Sequence, residues 1–283
     1  MSERSIRHVI PPQETSDGAG VRLKRAVTWN TQPEIDPWLM MDHFSSDDPD
    51  DYIAGFPAHP HRGFETVTYI VDGHMQHEDH LGNRGDLQAG GVQWMTAGRG
   101  IEHSEMPQQK DGLLRGFQIW LNLPSNEKMK PAGYRDITAD EIPRIDLASG
   151  GQVRLIAGQL ELNGEHHVGP GDNEATKPVI ADLLLRPGEN TTLPLPTEHA
   201  GLFYVFEGEV SVGEKPVPTH NTALLDTGET LTLKAGRNGG RLVLLAGRPL
   251  GESVVQYGPF VMNTREEIEQ TLRDYRSGAL TAG

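Results

Sequence analysis

Residues 56–79 read FPAHPHRGFETVTYIVDGHMQHED, and the fold is decided in this stretch. A Pro/Gly-rich entry leads into Phe64–Val71, a strand-length run of Thr, Val, Tyr and Ile that stops at Asp72-Gly73. Working outward, Val92–Thr96, Leu114–Leu121, Val153–Ala157, Ile180–Leu185, Leu202–Phe206, Thr230–Leu233 and Arg241–Ala246 have the same length and composition. Asp72-Gly73 and Gly82-Asn83 are hairpin-type turn signals. Many short strands between regular breakers predict an all-β protein of sandwich or barrel type. The 33 glycines and 20 prolines agree, being well above a usual combined share of roughly 12%.

The stretch has a loose counterpart downstream. ETVTYIVDGHM (65–75) and GLFYVFEGEVSV (201–212) share an entry, a strand and a Gly-containing exit, which suggests a duplicated barrel. Leu123–Pro143, with prolines at 124, 131 and 143, reads as a connector, so the domains are expected at 1–130 and 131–283. One short helix is expected at the C-terminus. Thr264 and Glu267 form a capping box, Ile268, Leu272 and Tyr275 share a face, and Gly278 stops it.

Composition excludes several chemistries. The 283 residues carry no cysteine, which removes disulfides, thiolate metal sites, Fe–S clusters and a Cys nucleophile. A net charge of −15 argues against direct nucleic-acid binding, because phosphate contacts need a basic face. No apolar run approaches the ~20 residues of a membrane span, and MSERSIRHVIPPQE lacks a signal peptide's apolar stretch. A soluble, cytoplasmic protein without membrane contact is expected. No nucleophile elbow, P-loop or dinucleotide fingerprint is present; Gly98 and Gly100 read as a tight turn before His103.

Seven of the twelve histidines fall between residues 43 and 103, so an imidazole metal site belongs to the first half. Two pairs stand out, His59-Pro60-His61 and His103-Ser104-Glu105. On a strand, residues two apart share a face about 6.6 Å from each other, close enough for both side chains to lean onto one ion. Two such strands meeting inside a barrel offer three neutral nitrogens and one carboxylate, leaving up to two positions open on an octahedral metal. Glu65 competes with Glu105, since it shares parity with His61. It lies about 13 Å along a regular strand, and only a bend at Gly63 would bring it to the ion. His74, His77 and His80 read as a solvated hairpin face, His199 as structural, and Asp47, Asp48, Asp50 and Asp51 as a solvated loop.

The segments DPWLMMDHF (36–44), 56–79, GVQWMTAGRGIEHSEMP (91–107) and FQIWLNLPSNEKMKPAGYRDI (117–137) resemble the pirin family of the cupin superfamily. The closing YGPFVMNTREEI (257–268) resembles it more weakly. The resemblance implies two tandem cupin-type β-barrels, a bicupin, with metal only in the N-terminal one. It places the metal ligands on His59, His61, His103 and Glu105, favouring Glu105 over Glu65. Family members usually carry iron, so Fe(II) is the expected cofactor, although the ligand set also admits Mn, Ni, Co, Cu or Zn. Two functions are associated with the family. One is a quercetin 2,3-dioxygenase activity that opens a flavonol with O₂, for which Glu105 is the candidate catalytic base. The other is a non-enzymatic, iron-redox-responsive regulatory role exercised through protein partners.

Overall fold

The computed structural model describes residues 2–282. The chain forms two compact units that interleave along the sequence. One comprises residues up to Gln13, Ala26–Pro37 and Asp140–Pro249; the other comprises Glu14–Arg25, Trp38–Ala139 and the residues from Leu250 onward. Both are built almost wholly of strands, and the fold is two cupin domains. A single cut after residue 130 does not describe these units, because the C-terminal segment groups with the histidine-rich one. The physical reason is burial. The Arg265–Ser277 helix lays Ile268 and Leu272 against Phe260 and Met262, and Arg62 ties it down through Asp274 (2.6 Å) and Thr271 (3.3 Å). The expected capping box is present, with Thr264 and Glu267 each accepting a backbone N–H at the helix start and Gly278 closing it in the left-handed region.

The histidine-rich domain has two large antiparallel sheets, beside a two-stranded pair of Val255–Tyr257 and Phe260–Met262. The seven-stranded one runs Gly133–Ile137, Val92–Thr96, Phe64–Asp72, Leu114–Asn122, Trp38–Ser46, Val21–Thr28 and Gln13–Asp17. The four-stranded one runs Phe56–His61, Ile101–Pro107, His74–Asp79 and Arg84–Gln88. The strands do not close into one continuous hydrogen-bonded ring, so the barrel is an open one. Phe64–Asp72 is buried at eight of nine positions, which explains its largely aromatic and β-branched character, broken by Glu65.

Several expectations change. Asp72-Gly73 is not a hairpin turn, because the strands it joins belong to different sheets, whereas Gly82-Asn83 does close a paired hairpin. The supposed connector contributes Gly133–Ile137 to the seven-stranded sheet, paired with Val92–Thr96. In the other domain Thr230–Leu233 and Arg241–Ala246 are parts of one strand, Thr230–Gly247, which continues through Ala235–Gly240 and pairs successively with Asn190–Pro194 and Val179–Leu185. That domain's nine-stranded sheet surrounds an aliphatic core that includes Leu155, Leu183, Phe203, Leu233 and Leu244.

Candidate metal centre

The site is assembled from two adjacent strands. Phe56–His61 and Ile101–Pro107 pair antiparallel with His103 directly opposite His59 and Ile101 opposite His61. Residues opposite each other share a face, so His59, His61 and His103 project together. One potential ligand atom from each lies within 4.8 Å of the others. The rings are 4.3–5.0 Å apart between centroids. His61 and His103 are almost fully buried, while His59 is partly exposed at the cavity.

Their electrostatics suit a cation. Burial, followed by the neighbouring His59, holds the His61 imidazole well below its usual pKa; the Pro259 backbone opposes this. His103 is likewise depressed by burial and then by His61, His59 and His77. Both rings are therefore neutral near pH 7 and keep lone pairs free. His59 Nδ1 donates to the Pro57 carbonyl (2.9 Å), leaving Nε2 for a ligand. His103 Nδ1 is engaged by His77 Nδ1 (3.1 Å), and His103 Nε2 is buried without a partner. Neither His61 nitrogen has a hydrogen bond of good geometry. Orphaned buried polar atoms of this kind cost about 1–3 kcal/mol each, a penalty that coordination would remove. Three imidazoles with a carboxylate alongside fit a divalent transition metal of borderline softness.

Glu105 is buried on the same strand face as His103, outside the close triad. Its Oε1 accepts from Thr68 Oγ1 (2.8 Å) and its Oε2 from Gln118 Nε2 (3.1 Å). Burial pushes its pKa up, while His59 and these two donors pull the other way. Glu65 faces elsewhere. Gly63, at φ +89, turns the chain from one sheet into the other, so the parity shared with His61 does not carry across. Glu65 instead accepts from Trp94 Nε1 (3.0 Å) and Thr96 Oγ1 (2.7 Å), with Lys130 3.4 Å away.

The triad opens on a cavity of about 690 Å³, whose walls include Leu23, Met40, Phe44, Phe56 and Trp120. Arg25 and Asp42 add a paired polar patch, linked at 2.7 and 2.9 Å.

Apart from His77, the other histidines of this domain separate from the triad. His74 pairs with Asp86 (3.1 Å), His80 Nδ1 accepts the Glu102 N–H (3.2 Å), and His43 stacks on Phe117. His77 is not on a solvated face: it is 1% exposed and stacks on Tyr134 at 4.9 Å. Its opposite parity to His74 and His80 was the available signal, since Met75, His77 and Asp79 form the buried row of that strand. Gln118 was also missed, although a lone amide in the apolar run FQIWL marks a polar partner inside. The acidic loop is partly tied down, with Asp48 capping the Pro49–Asp51 turn and Asp51 pairing with Arg22. His199 is buried in the other domain, where its carbonyl accepts from Arg4 (2.9 Å).

A histidine cluster seated on paired strands inside a cupin domain defines a protein of the cupin class whose three histidines suggest a single metal site, here in one of two such domains. Family comparison makes this particular: the Pirin family model matches residues 20–121, and the model of the Pirin C-terminal cupin domain matches residues 180–281. The chain belongs to the pirin family. It is 53% identical over 280 residues to a Pseudomonas aeruginosa protein provisionally named a quercetin 2,3-dioxygenase, covering 98% of each chain. A Vibrio cholerae protein with the same provisional name is 44% identical, over 98% of this chain and 97% of its own. The crystal structure of quercetin 2,3-dioxygenase from Acinetobacter baumannii superposes with a TM-score of 0.91 at 31% identity, covering 99% of both chains.

Proposed function

We propose that this chain is a metal-dependent dioxygenase that opens a flavonol-like ring with O₂. The observation that carries the reading is a three-histidine cluster, with His61 and His103 buried and His59 at the cavity wall, opening onto a cavity large enough for a three-ring aromatic. The similarity to proteins named as quercetin 2,3-dioxygenases supports the substrate class. His59, His61, His103 and Glu105 would hold the metal, with Fe(II) as the ion expected from the family resemblance and Mn, Ni, Co, Cu and Zn compatible with the same donors. When bound, it supplies Lewis-acid and redox chemistry toward the substrate oxygens and O₂.

The chain's own groups do the rest. Leu23, Met40, Phe44, Phe56 and Trp120 line the cavity with apolar surface that fits a planar aromatic and excludes water. Glu105 accepts the proton of the substrate hydroxyl on a carboxylate oxygen. Its elevated proton affinity suits that role, and Thr68 and Gln118 keep both oxygens aimed.

The test is quercetin consumption in air, followed by flavonol absorbance, with iron-loaded protein beside its His59→Ala variant. Loss with the wild type alone is expected. No loss above an iron-only control, at confirmed iron occupancy, would overturn the flavonol reading and favour a regulatory protein acting through partners.

A further inference from the structure

We propose that His77 is the positioning residue of the metal centre: it accepts the Nδ1 proton of His103 and so fixes the tautomer whose Nε2 lone pair faces the cluster. The inference rests on the metal-binding part of the reading above and is independent of the flavonol.

The geometry leaves His77 as the partner. The Ile101–Pro107 strand is central, with Phe56–His61 on one side and His74–Asp79 on the other. The first neighbour brings His59 opposite His103; the second brings His77 opposite Glu105 and Asp79 opposite His103. Asp79 is the nearer carboxylate by register, but its oxygens are occupied by the Leu81 and Asn83 N–H groups (2.9 and 3.0 Å) and by Asn83 Nδ2 (2.8 Å). His103 Nδ1 therefore meets the diagonal neighbour, His77 Nδ1, at 3.1 Å.

Two ring nitrogens at that distance share one proton. If His77 donates, the His103 proton sits on Nε2 and blocks the ring nitrogen that has no other partner and is left for the cluster. If His77 accepts, His103 carries Nδ1–H and Nε2 is free, while the His77 proton moves to its far nitrogen. A metal on His103 Nε2 is compatible only with the second arrangement. His77 Nε2 is buried without a hydrogen-bond partner, so the proton moved there is left unpaired, a cost set against the freed His103 lone pair. Tyr134 stacks on the His77 ring at 21° between planes and donates to Asp136, which holds the ring in place. The partner of a metal-bound histidine ordinarily is a carboxylate or carbonyl, and its loss weakens metal affinity by about 10- to 100-fold; here a second imidazole takes that place.

The direct test is the nitrogen NMR spectrum of Zn(II)-loaded wild type with ¹⁵N-labelled histidine. The expected pattern is His103 protonated on Nδ1 and His77 on Nε2; a proton on His77 Nδ1 overturns the proposal. The second test is Co(II) affinity by chelator competition, read with the Co(II) absorption spectrum. His77→Phe keeps the ring stack and removes the acceptor, and is expected to weaken binding about 10- to 100-fold. His77→Asn keeps an acceptor near the Nδ1 position and is expected to stay within about threefold of wild type. Equal affinity in His77→Phe and wild type, or equal loss in both variants, would reduce His77 to packing. Failure of wild type to take up Zn(II) or Co(II) would overturn the metal centre together with this role. Intact metal results without quercetin turnover would overturn the flavonol reading alone.

Discussion

Glu105 and Glu65 are buried carboxylates of one domain, 2% and 3% exposed, and their partners separate their roles. The two donors on Glu105 come from neighbouring strands beneath the cavity, so its carboxylate is aligned at the place where a substrate would lie. Glu65 is consumed by Trp94, Thr96 and Lys130 and lines no part of that cavity. Glu105→Gln keeps the shape but cannot take a proton or offer an anionic ligand. Its quercetin turnover should fall by about 10²-fold or more, the usual scale for a lost general base. Glu65→Gln should keep turnover within about threefold. It should lose about 1–2 kcal/mol of stability, because an amide N–H₂ then meets either the Trp94 or the Thr96 donor. Steady-state kinetics and urea unfolding of the two variants separate these outcomes, and reversal of the kinetic ranking would exchange the two assignments. Spacing was enough to bring His59, His61 and His103 together, because His59 and His61 share one strand and His103 lies opposite on the next; Glu105, buried on the face of His103, is the proposed fourth ligand. Spacing failed for His77, because the surroundings of that residue depend on which sheet its strand joins; Glu65, ranked behind Glu105, turns away from the cluster at Gly63.

At the level of elements, the junction after His61 governs the site. A Cβ on Gly63 would lie 2.0 Å from the Val261 carbonyl, and its φ of +89 is strained for other residues. Gly63→Ala should therefore cost about 3 kcal/mol or more and lower metal affinity by tilting His61. A metal-competition assay alongside urea unfolding checks both. The same junction is tied by Lys128, a buried ammonium that donates to Gly63 O (2.7 Å), Asn122 Oδ1 (2.6 Å) and Val261 O (3.1 Å). Burial lowers its pKa to about 7, with Glu252 and Glu267 opposing. Between about pH 7 and its unfolded value of 10.5 the unfolded chain binds more protons, so this group's contribution to stability rises with pH. The slope is at most about 1.4 kcal/mol per pH unit. Urea midpoints should climb from pH 7 to 9 in wild type and flatten in Lys128→Met, which should also be destabilised by about 2–4 kcal/mol through its orphaned acceptors. A parallel climb in both proteins would remove Lys128 as the cause. The connector reading of this segment missed Lys128 because it is the one buried residue between the prolines at 124 and 131, flanked by exposed Ser125, Asn126 and Met129.

At the scale of the molecule, one cupin domain carries the histidine cluster and the other is filled with aliphatic side chains. The periodicity of strands made two β domains legible, and the uneven distribution of histidines showed which one holds the site. The interleaving of the units was not legible, because the tie of the C-terminal helix to Arg62 joins residues 212 apart in the chain, long-range packing that no local pattern encodes. The asymmetry has a thermodynamic consequence. A ligand that binds only the folded histidine-rich domain stabilises it by RT ln(1 + [L]/Kd), about 2.7 kcal/mol at one hundred times Kd. Calorimetry of chelator-treated protein should therefore show an upward shift in Tm on adding Zn(II), rising with the logarithm of its concentration. His59→Ala should abolish that shift. His166→Ala should retain it, because His166 is an exposed residue of the other domain, paired with Glu161. An equal shift in all three proteins would mean that Zn(II) acts outside the cluster, and the assignment of His59, His61 and His103 as the metal centre would then fall.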